Sequence, residues 1–386
     1  MNNILMEQIT LIATATFGLE TAVKNEVSQL GYEITHVSNG RIEFAASPDD
    51  IPHANLWLRC ADRVLLKMGE FTAVTFDQLF EQTKAIPWET LITADGQFTV
   101  NARAAKSTLL SDRSVQSIVK KAVVERLQTA YQVDWFPETG AAFTIDVSIF
   151  QDMVLLAVDT SGDGLHKRGY RQEAGEAPLK ETMAAGLVAL SFWNNQRLLL
   201  DPFCGAGTIL IEAALMGRNI APGLQRSFAA EEWPLVKANT WYQARRQAEE
   251  AQYPAGGLQL LGYDLDKASI EMARRNAQRA GVADDIAFEQ KNLHDLWIDQ
   301  QYGILISNPP YGQRVGDFRE LNQIYITLNK MFRKKTGWSI YILTADKKFP
   351  DYFKRARPNR TRKLYNGRIE VNYYQFYGER PPREAT

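Results

Sequence analysis

The run Arg197-Leu198-Leu199-Leu200-Asp201-Pro202-Phe203-Cys204-Gly205-Ala206-Gly207-Thr208 decides the fold. A short apolar stretch ends in an acidic residue. Two glycines then let the backbone turn sharply into a helix and approach a ligand with no Cβ in the way. The spacing predicts a strand over 197–200 and a helix over 205–216. Leu210 stands where the third glycine of a full dinucleotide pattern would be, and no G-K-[ST] follows, so a P-loop is excluded. A polar or anionic ligand other than a nucleoside triphosphate fits the turn better.

Working outward, strand patterns over 258–263, 286–290, 304–307 and 339–343 alternate with helical ones over 267–280 and 324–332. Residues 364–376 read as an antiparallel hairpin around Asn366-Gly367. Such alternation builds a mainly parallel, Rossmann-like α/β sheet with helices on both faces. A helical stretch over 229–252, rich in Trp, Arg and Glu, interrupts the rhythm between the first two strands.

The first half has a different order. A strand over 9–16, a helix over 19–30 and strands over 32–37 and 41–45 flanking Ser38-Asn39-Gly40 give β-α-β-β, a ferredoxin-like opening. A further strand is expected over 98–102. Ser111 then caps a helix whose apolar stripe is Val115, Ile118, Val119, Ala122, Val123 and Leu127, with Lys120, Lys121 and Arg126 on the wet face. Strands over 143–150 and 153–159 turn at Gln151-Asp152, and Ser161-Gly162-Asp163-Gly164 marks a boundary near residue 165.

Length and composition bound the possibilities. At 386 residues, with 45% hydrophobic and 23% charged residues, two or three globular domains are expected, and disorder, collagen-like repeats and a membrane bundle are poor fits. Cys60 and Cys204 cannot supply a disulfide framework, and four scattered histidines have no metal-ligand spacing, so no metal is expected. Neither an export signal nor a membrane span is indicated, which makes the cytoplasm the default. Net charge is only -1, yet residues 330–368 carry 13 Lys or Arg against Asp346 and Asp351. Interleaved with Trp338, Tyr341, Phe349, Tyr352, Phe353 and Tyr365, these cations read equally as a nucleic-acid surface or as a solvated face over core aromatics.

Ligands of an open α/β sheet lie beyond the carboxyl ends of its strands. After the second strand, Asp264 suits two adjacent ribose hydroxyls, with Leu265 next to it. After the third, Asn292 could meet an adenine edge and Leu293 its face. After the fourth come Asn308-Pro309-Pro310-Tyr311-Gly312. Each proline fixes φ and removes a donor, so this stiff corner presents acceptors only. The Asn308 side-chain oxygen and the Pro309 carbonyl can take both hydrogens of an exocyclic amine while Tyr311 stacks on the base. Held out of plane, those hydrogens favour a pyramidal nitrogen with a free lone pair.

These residues, in this order, resemble the motifs of class I S-adenosylmethionine-dependent amino-methyltransferases. Leu165-His166-Lys167-Arg168-Gly169-Tyr170-Arg171 and Ala177-Pro178-Leu179-Lys180-Glu181 look like the segment preceding the catalytic domain in bacterial large-subunit rRNA guanine-N2-methyltransferases, and the N-terminal half is similar to their ferredoxin-like plus THUMP module. The resemblance implies three parts: a ferredoxin-like region over 1–65, a THUMP-like RNA-binding domain over 66–164 and a methyltransferase domain over 165–386. It implies S-adenosyl-L-methionine as cofactor, bound by Asp201, Phe203, Gly205, Gly207, Thr208, Asp264, Leu265, Asn292 and Leu293. Asn308, Pro309, Pro310 and Tyr311 become the catalytic corner, and Lys167, Arg168, Arg171, Lys120 and Lys121 the contacts to RNA, specifically 23S rRNA. Two departures stand out: Asn292 replaces a frequent acid, with Asp295 as fallback, and 57 residues separate Gly207 from Asp264. The rivals are methylation of adenine N6, of another amino group, or an RNA-binding assembly factor with a vestigial cofactor site.

Overall fold

The computed structural model describes residues 8–172, 179–310, 318–354 and 357–382. Its first half lays down β1 (Ile9–Thr14), α1 (Glu20–Gln29), β2 (Ile34–Ser38), β3 (Arg41–Ala46), α2 (Asp50–Trp57), β4 (Arg63–Thr72), α3 (Phe76–Ala85), β5 (Gln97–Ala105), α4 (Asp112–Tyr131), β6 (Ala142–Phe150) and β7 (Met153–Asp159). Gln151 and Asp152 both take left-handed backbone, φ 51° and 62°, as the central pair of a tight primed turn requires, and so join β6 to β7. The Ser111 hydroxyl accepts from the Ser114 amide and caps α4, whose buried stripe includes Val115, Val119, Val123 and Leu127. That helix is the crossover that the parallel pair β5 and β6 needs.

These strands form one sheet in the order β2-β3-β1-β4-β7-β6-β5. β4 pairs with β1 on one side and β7 on the other. A division between residues 65 and 66 therefore falls inside a strand, and the ferredoxin-like opening and the module after it share a continuous sheet.

The second half runs α5 (Glu181–Ala189), β8 (Leu199–Asp201), α6 (Thr208–Gly217), α7 (Ala238–Glu250), β9 (Leu260–Asp264), α8 (Lys267–Arg279), β10 (Ile286–Gln290), β11 (Gly303–Ser307), α9 (Phe318–Phe332), β12 (Trp338–Thr344), α10 (Phe349–Tyr352), β13 (Arg360–Asn366) and β14 (Ile369–Phe376). The order is β10-β9-β8-β11-β12-β14-β13: β8 to β12 pair in parallel, and β14 is antiparallel to both β12 and β13. This is the mainly parallel Rossmann-like sheet with a terminal antiparallel hairpin that the motif order predicts. Side chains alternate across it. Leu199 packs with Leu187 and Leu210 on one face, while Leu198 and Leu200 pack with Tyr325 and Phe332 of α9 on the other.

The interrupting stretch is a single 3-10 turn at Ala229–Glu232 followed by α7, and it packs on the first sheet instead of the second. Trp233 stacks on Phe143 of β6 at 5.0 Å and donates its Nε1 hydrogen to the Ala142 carbonyl, and Phe228 stacks on Trp241 at 5.5 Å. In the basic run, Trp338, Tyr341, Phe349 and Phe353 are fully buried, so these four aromatics are core, whereas Tyr352 and Tyr365 stay half-buried beside the exposed cations.

Candidate active site

Strand order reverses between β8 and β11, where an open α/β sheet leaves a crevice past its strand ends. Asp201 closes β8, Asp264 closes β9, Asn292 follows β10 and Asn308 follows β11, so the four motifs converge there. Asp201 is 2% exposed, and its Oδ1 accepts from the Phe203 amide at 3.1 Å and from the Ser307 hydroxyl at 2.5 Å. Ser307 is the last residue of β11. One buried hydrogen bond thus ties the glycine turn to the Asn308 corner. Burial pushes the Asp201 carboxyl up to about 7, aided by the nearby Asp264 charge and opposed by the bonds from Ser307 and Phe203.

Asp264 accepts from the Gly205 amide at 2.9 Å through Oδ2 and from the Asp266 amide at 3.0 Å through Oδ1. A carboxylate has about four lone-pair sites, which leaves room for a diol. Gly205 has φ +51°, and a Cβ built there meets nothing within 4 Å: it lines open space. Gly207 is different. At φ +82°, its Cβ would stand 2.8 Å from the Phe288 ring, so this glycine serves the packing of α6 on β10. Thr208 is buried at the start of α6, Phe203 is half-buried, and Leu265 is 64% exposed directly beyond Asp264.

Asn292 accepts the His294 amide at 3.0 Å, capping a short turn, and Leu293 is buried against the core that holds Leu200 and Leu305. At the fourth motif, Asn308 Oδ1 is buried and has no hydrogen-bond partner among the described residues. Pro309 is buried and Pro310 half-buried; Tyr311 and Gly312 lie outside the described residues, as do Ala177 and Pro178. A lone acceptor without a donor costs about 1–3 kcal/mol, which a ligand N–H would recover.

Residues 168–375 match the RMKL-like methyltransferase domain, 10–65 the RlmL ferredoxin-like domain and 73–159 the THUMP domain. The chain belongs to the RMKL-like methyltransferase family. YpsC of Bacillus subtilis (strain 168), named as an RNA methyltransferase, is 44% identical over 384 residues, 99% of each chain. The ribosomal RNA large subunit methyltransferase K/L of Syntrophotalea carbinolica is 34% identical over 95% of this chain and 53% of its own. The chain therefore spans about half the length of the K/L relatives. SMU.472, described as a methyltransferase and complexed with S-adenosylhomocysteine, superposes at a TM-score of 0.91 with 41% identity, covering 97% of this chain and 99% of its own.

S-adenosyl-L-methionine is the methyl donor in this family member. The residues present fit it: open backbone at Gly205, spare acceptor capacity on Asp264, and a bare apolar side chain at Leu265.

Two of the expected RNA contacts, Arg168 and Arg171, lie largely buried in ion pairs. Arg168 is 3% exposed, pairs with Glu212 of α6 at 3.5 Å and donates to the carbonyls of Leu165 and Arg59. Arg171 pairs with Glu181 at 2.7 Å, with a tenth of its side chain exposed, and donates to the Leu179 carbonyl. Both guanidiniums are engaged by buried carboxylates and backbone carbonyls, which gives them a structural role. Lys167 is exposed and pairs with Asp163 at 2.7 Å; Lys120 and Lys121 are exposed on α4, with the Lys121 ammonium 5.5 Å from the Phe80 ring. Ser307 and Glu212 are the residues that sequence reasoning passed over. Ser307 had a signal, a hydroxyl closing an apolar strand beside a buried acid; Glu212, one acid in an apolar helix, had only its unexplained charge.

Proposed function

We propose that the chain transfers the methyl group of S-adenosylmethionine to the exocyclic N2 amine of a guanine in RNA, specifically large-subunit (23S) rRNA, in the cytoplasm. The observation that carries this reading is the buried Oδ1 of Asn308, without a hydrogen-bond partner among the described residues, at the end of β11 and next to Ser307, which bonds to Asp201 of the glycine turn. The THUMP match and the RNA named in the relatives support the substrate class. Among the described residues no helix is long and apolar enough to cross a membrane.

The donor supplies an electrophilic methyl on a sulfonium whose thioether leaves readily. Asp201 and Gly205 would hold its methionine end, Asp264 its ribose, and Leu265, Asn292 and Leu293 its adenine. Asn308 Oδ1 and the Pro309 carbonyl accept the two amine hydrogens and point the nitrogen lone pair at the methyl carbon, with Tyr311 assigned to the base. Alignment is the main requirement, and in-line positioning removes several kcal/mol of barrier. No side chain has to take the proton first, because the product ammonium is acidic enough to release it to water. Labelled cofactor, rRNA transcripts and nucleoside digestion test the proposal. N2-methylguanosine is expected; N6-methyladenosine in its place would overturn the substrate assignment.

A further inference from the structure

The register of the second sheet leads from the Asn308 corner to its far edge. Ser307 pairs with Ile342, which sets Pro309 level with Thr344; Thr344 pairs with Asn372, and Asn372 with Lys363. Three strand spacings of about 4.8 Å put Lys363 roughly 14 Å away, at the same end of the sheet. Two residues on, toward the hairpin tip, Tyr365 meets Phe17 edge-on with ring centroids 5.8 Å apart, and the Lys363 ammonium lies 5.4 Å from the Tyr365 ring.

Phe17 comes from the other half of the molecule, from the loop between β1 and α1. Gly18, at φ +89°, lets that loop lie on β13, since a Cβ there would collide with the Lys363 carbonyl. Asp62 accepts from both Thr16 and Thr182, at 2.8 and 3.1 Å, which brings the first turn of α5 alongside. A phenylalanine whose purpose is to join two domains buries its ring; Phe17 is 50% exposed. Lys180, Lys363 and Arg368 are exposed on these same elements, and Lys347 is exposed in the turn after β12. Glu370 pairs with both Lys347 and Lys363, at 3.3 and 2.6 Å, so the two lysines keep a net positive charge.

We propose that Phe17 and Tyr365 form a stacking platform for unpaired nucleotides flanking the target base, with Lys180, Lys363 and Arg368 on their phosphates. The inference rests on the RNA-substrate reading above. A half-exposed phenylalanine against a half-buried tyrosine, among cations at the carboxyl end of the sheet, offers what an unpaired strand needs, because every base has a face to stack and every step a phosphate to neutralise. A protein interface is depleted of lysine, whereas Lys180, Lys347 and Lys363 are exposed around these rings, which favours a polyanion. The platform exists only when both halves are assembled, so it couples the grip on RNA to the contact between them.

Phe17→Leu, Phe17→Ala, Phe17→Trp and Tyr365→Ala in the full chain test this, with RNA affinity, S-adenosylhomocysteine affinity and thermal midpoint measured for each. Phe17→Leu and Tyr365→Ala should weaken binding of a single-stranded rRNA fragment about 5- to 100-fold with the cofactor product bound as before. Phe17→Trp should retain affinity. Unchanged RNA affinity in Phe17→Leu, or a loss in Phe17→Ala that leucine restores together with the midpoint, would make the pair a mere domain contact and overturn the platform. Methylation of another base with the Phe17 dependence intact would sink the guanine reading and leave the platform standing.

Discussion

At the scale of single residues, the two acids and the amide have separable jobs. Asn308→Ala removes the acceptor to which the proposed function gives the amine, while leaving the glycine turn untouched. Turnover should fall by at least about 100-fold with S-adenosylhomocysteine affinity within about twofold of the parent, measured by single-turnover assay and calorimetry. Asp264→Ala should do the reverse, because its carboxylate holds Gly205 and, under the proposed function, the cofactor ribose: cofactor affinity falls first, by about 10-fold or more. Asp201 adds a pH signature. Its folded value of about 7 lies above the ordinary 3.8, so the folded state holds the extra proton between those limits. Its contribution to stability is complete below about pH 4, declines as pH rises toward 7 and is level above. Urea midpoints of the parent should carry that decline, and Asp201→Asn should flatten it. Ser307→Ala, which removes a bond that lowers the value, should extend the decline past pH 7.

Single elements respond to different changes. The turn into α6 depends on left-handed backbone at Gly207 and on its closeness to Phe288. Gly207→Ala should cost roughly 1–2 kcal/mol from the backbone alone, plus the contact with the ring, read as a lower thermal midpoint. The same change at Gly205 meets open space, so its cost is backbone strain and lost room for the ligand, which a cofactor titration separates from stability. Elements were legible in the sequence where local chemistry wrote them: the primed turn at Gln151-Asp152, the Ser111 cap, and the strand-end motifs. Those that depended on remote partners were not. β4 carries Arg63, Lys67 and Glu70 along an apolar strand and has a register shift between Lys67 and Gly69, features that mean something only once β1 and β7 flank it. Lys167, Arg168 and Arg171 read as RNA contacts because a sequence does not say which acid a cation meets: Arg168 pairs with the distant Glu212, and Arg171 with Glu181, ten residues on. The four motif ends were visible from spacing, whereas the bond between Asp201 and Ser307 had to await the strand order.

At the scale of the whole molecule, the two sheets meet across a buried polar junction, and this is where the burial of Arg168 has its largest consequence. Glu26 of α1 accepts from the Arg59 and Cys60 amides at 3.2 and 2.9 Å, and Arg59 donates to the Ile220 carbonyl at 2.8 Å. Arg168 bridges the Arg59 carbonyl to Glu212, which also accepts from the Tyr170 hydroxyl at 3.0 Å. The chain of contacts runs from the ferredoxin-like opening to the helix that begins at the cofactor turn. Removing one member of a buried ion pair leaves the other charge uncompensated, at about 3–5 kcal/mol. Arg168→Ala should therefore lower the urea-derived stability by that order, whereas Arg168→Ala paired with Glu212→Gln should recover part of it, because the stranded charge is then gone. An RNA-contacting arginine would behave otherwise: its loss would leave stability nearly unchanged and reduce the salt dependence of RNA binding by about one unit of slope. A stable Arg168→Ala with a shallower salt slope would place this side chain at the RNA after all, and an unstable one with the parental slope identifies it as the tie between the halves.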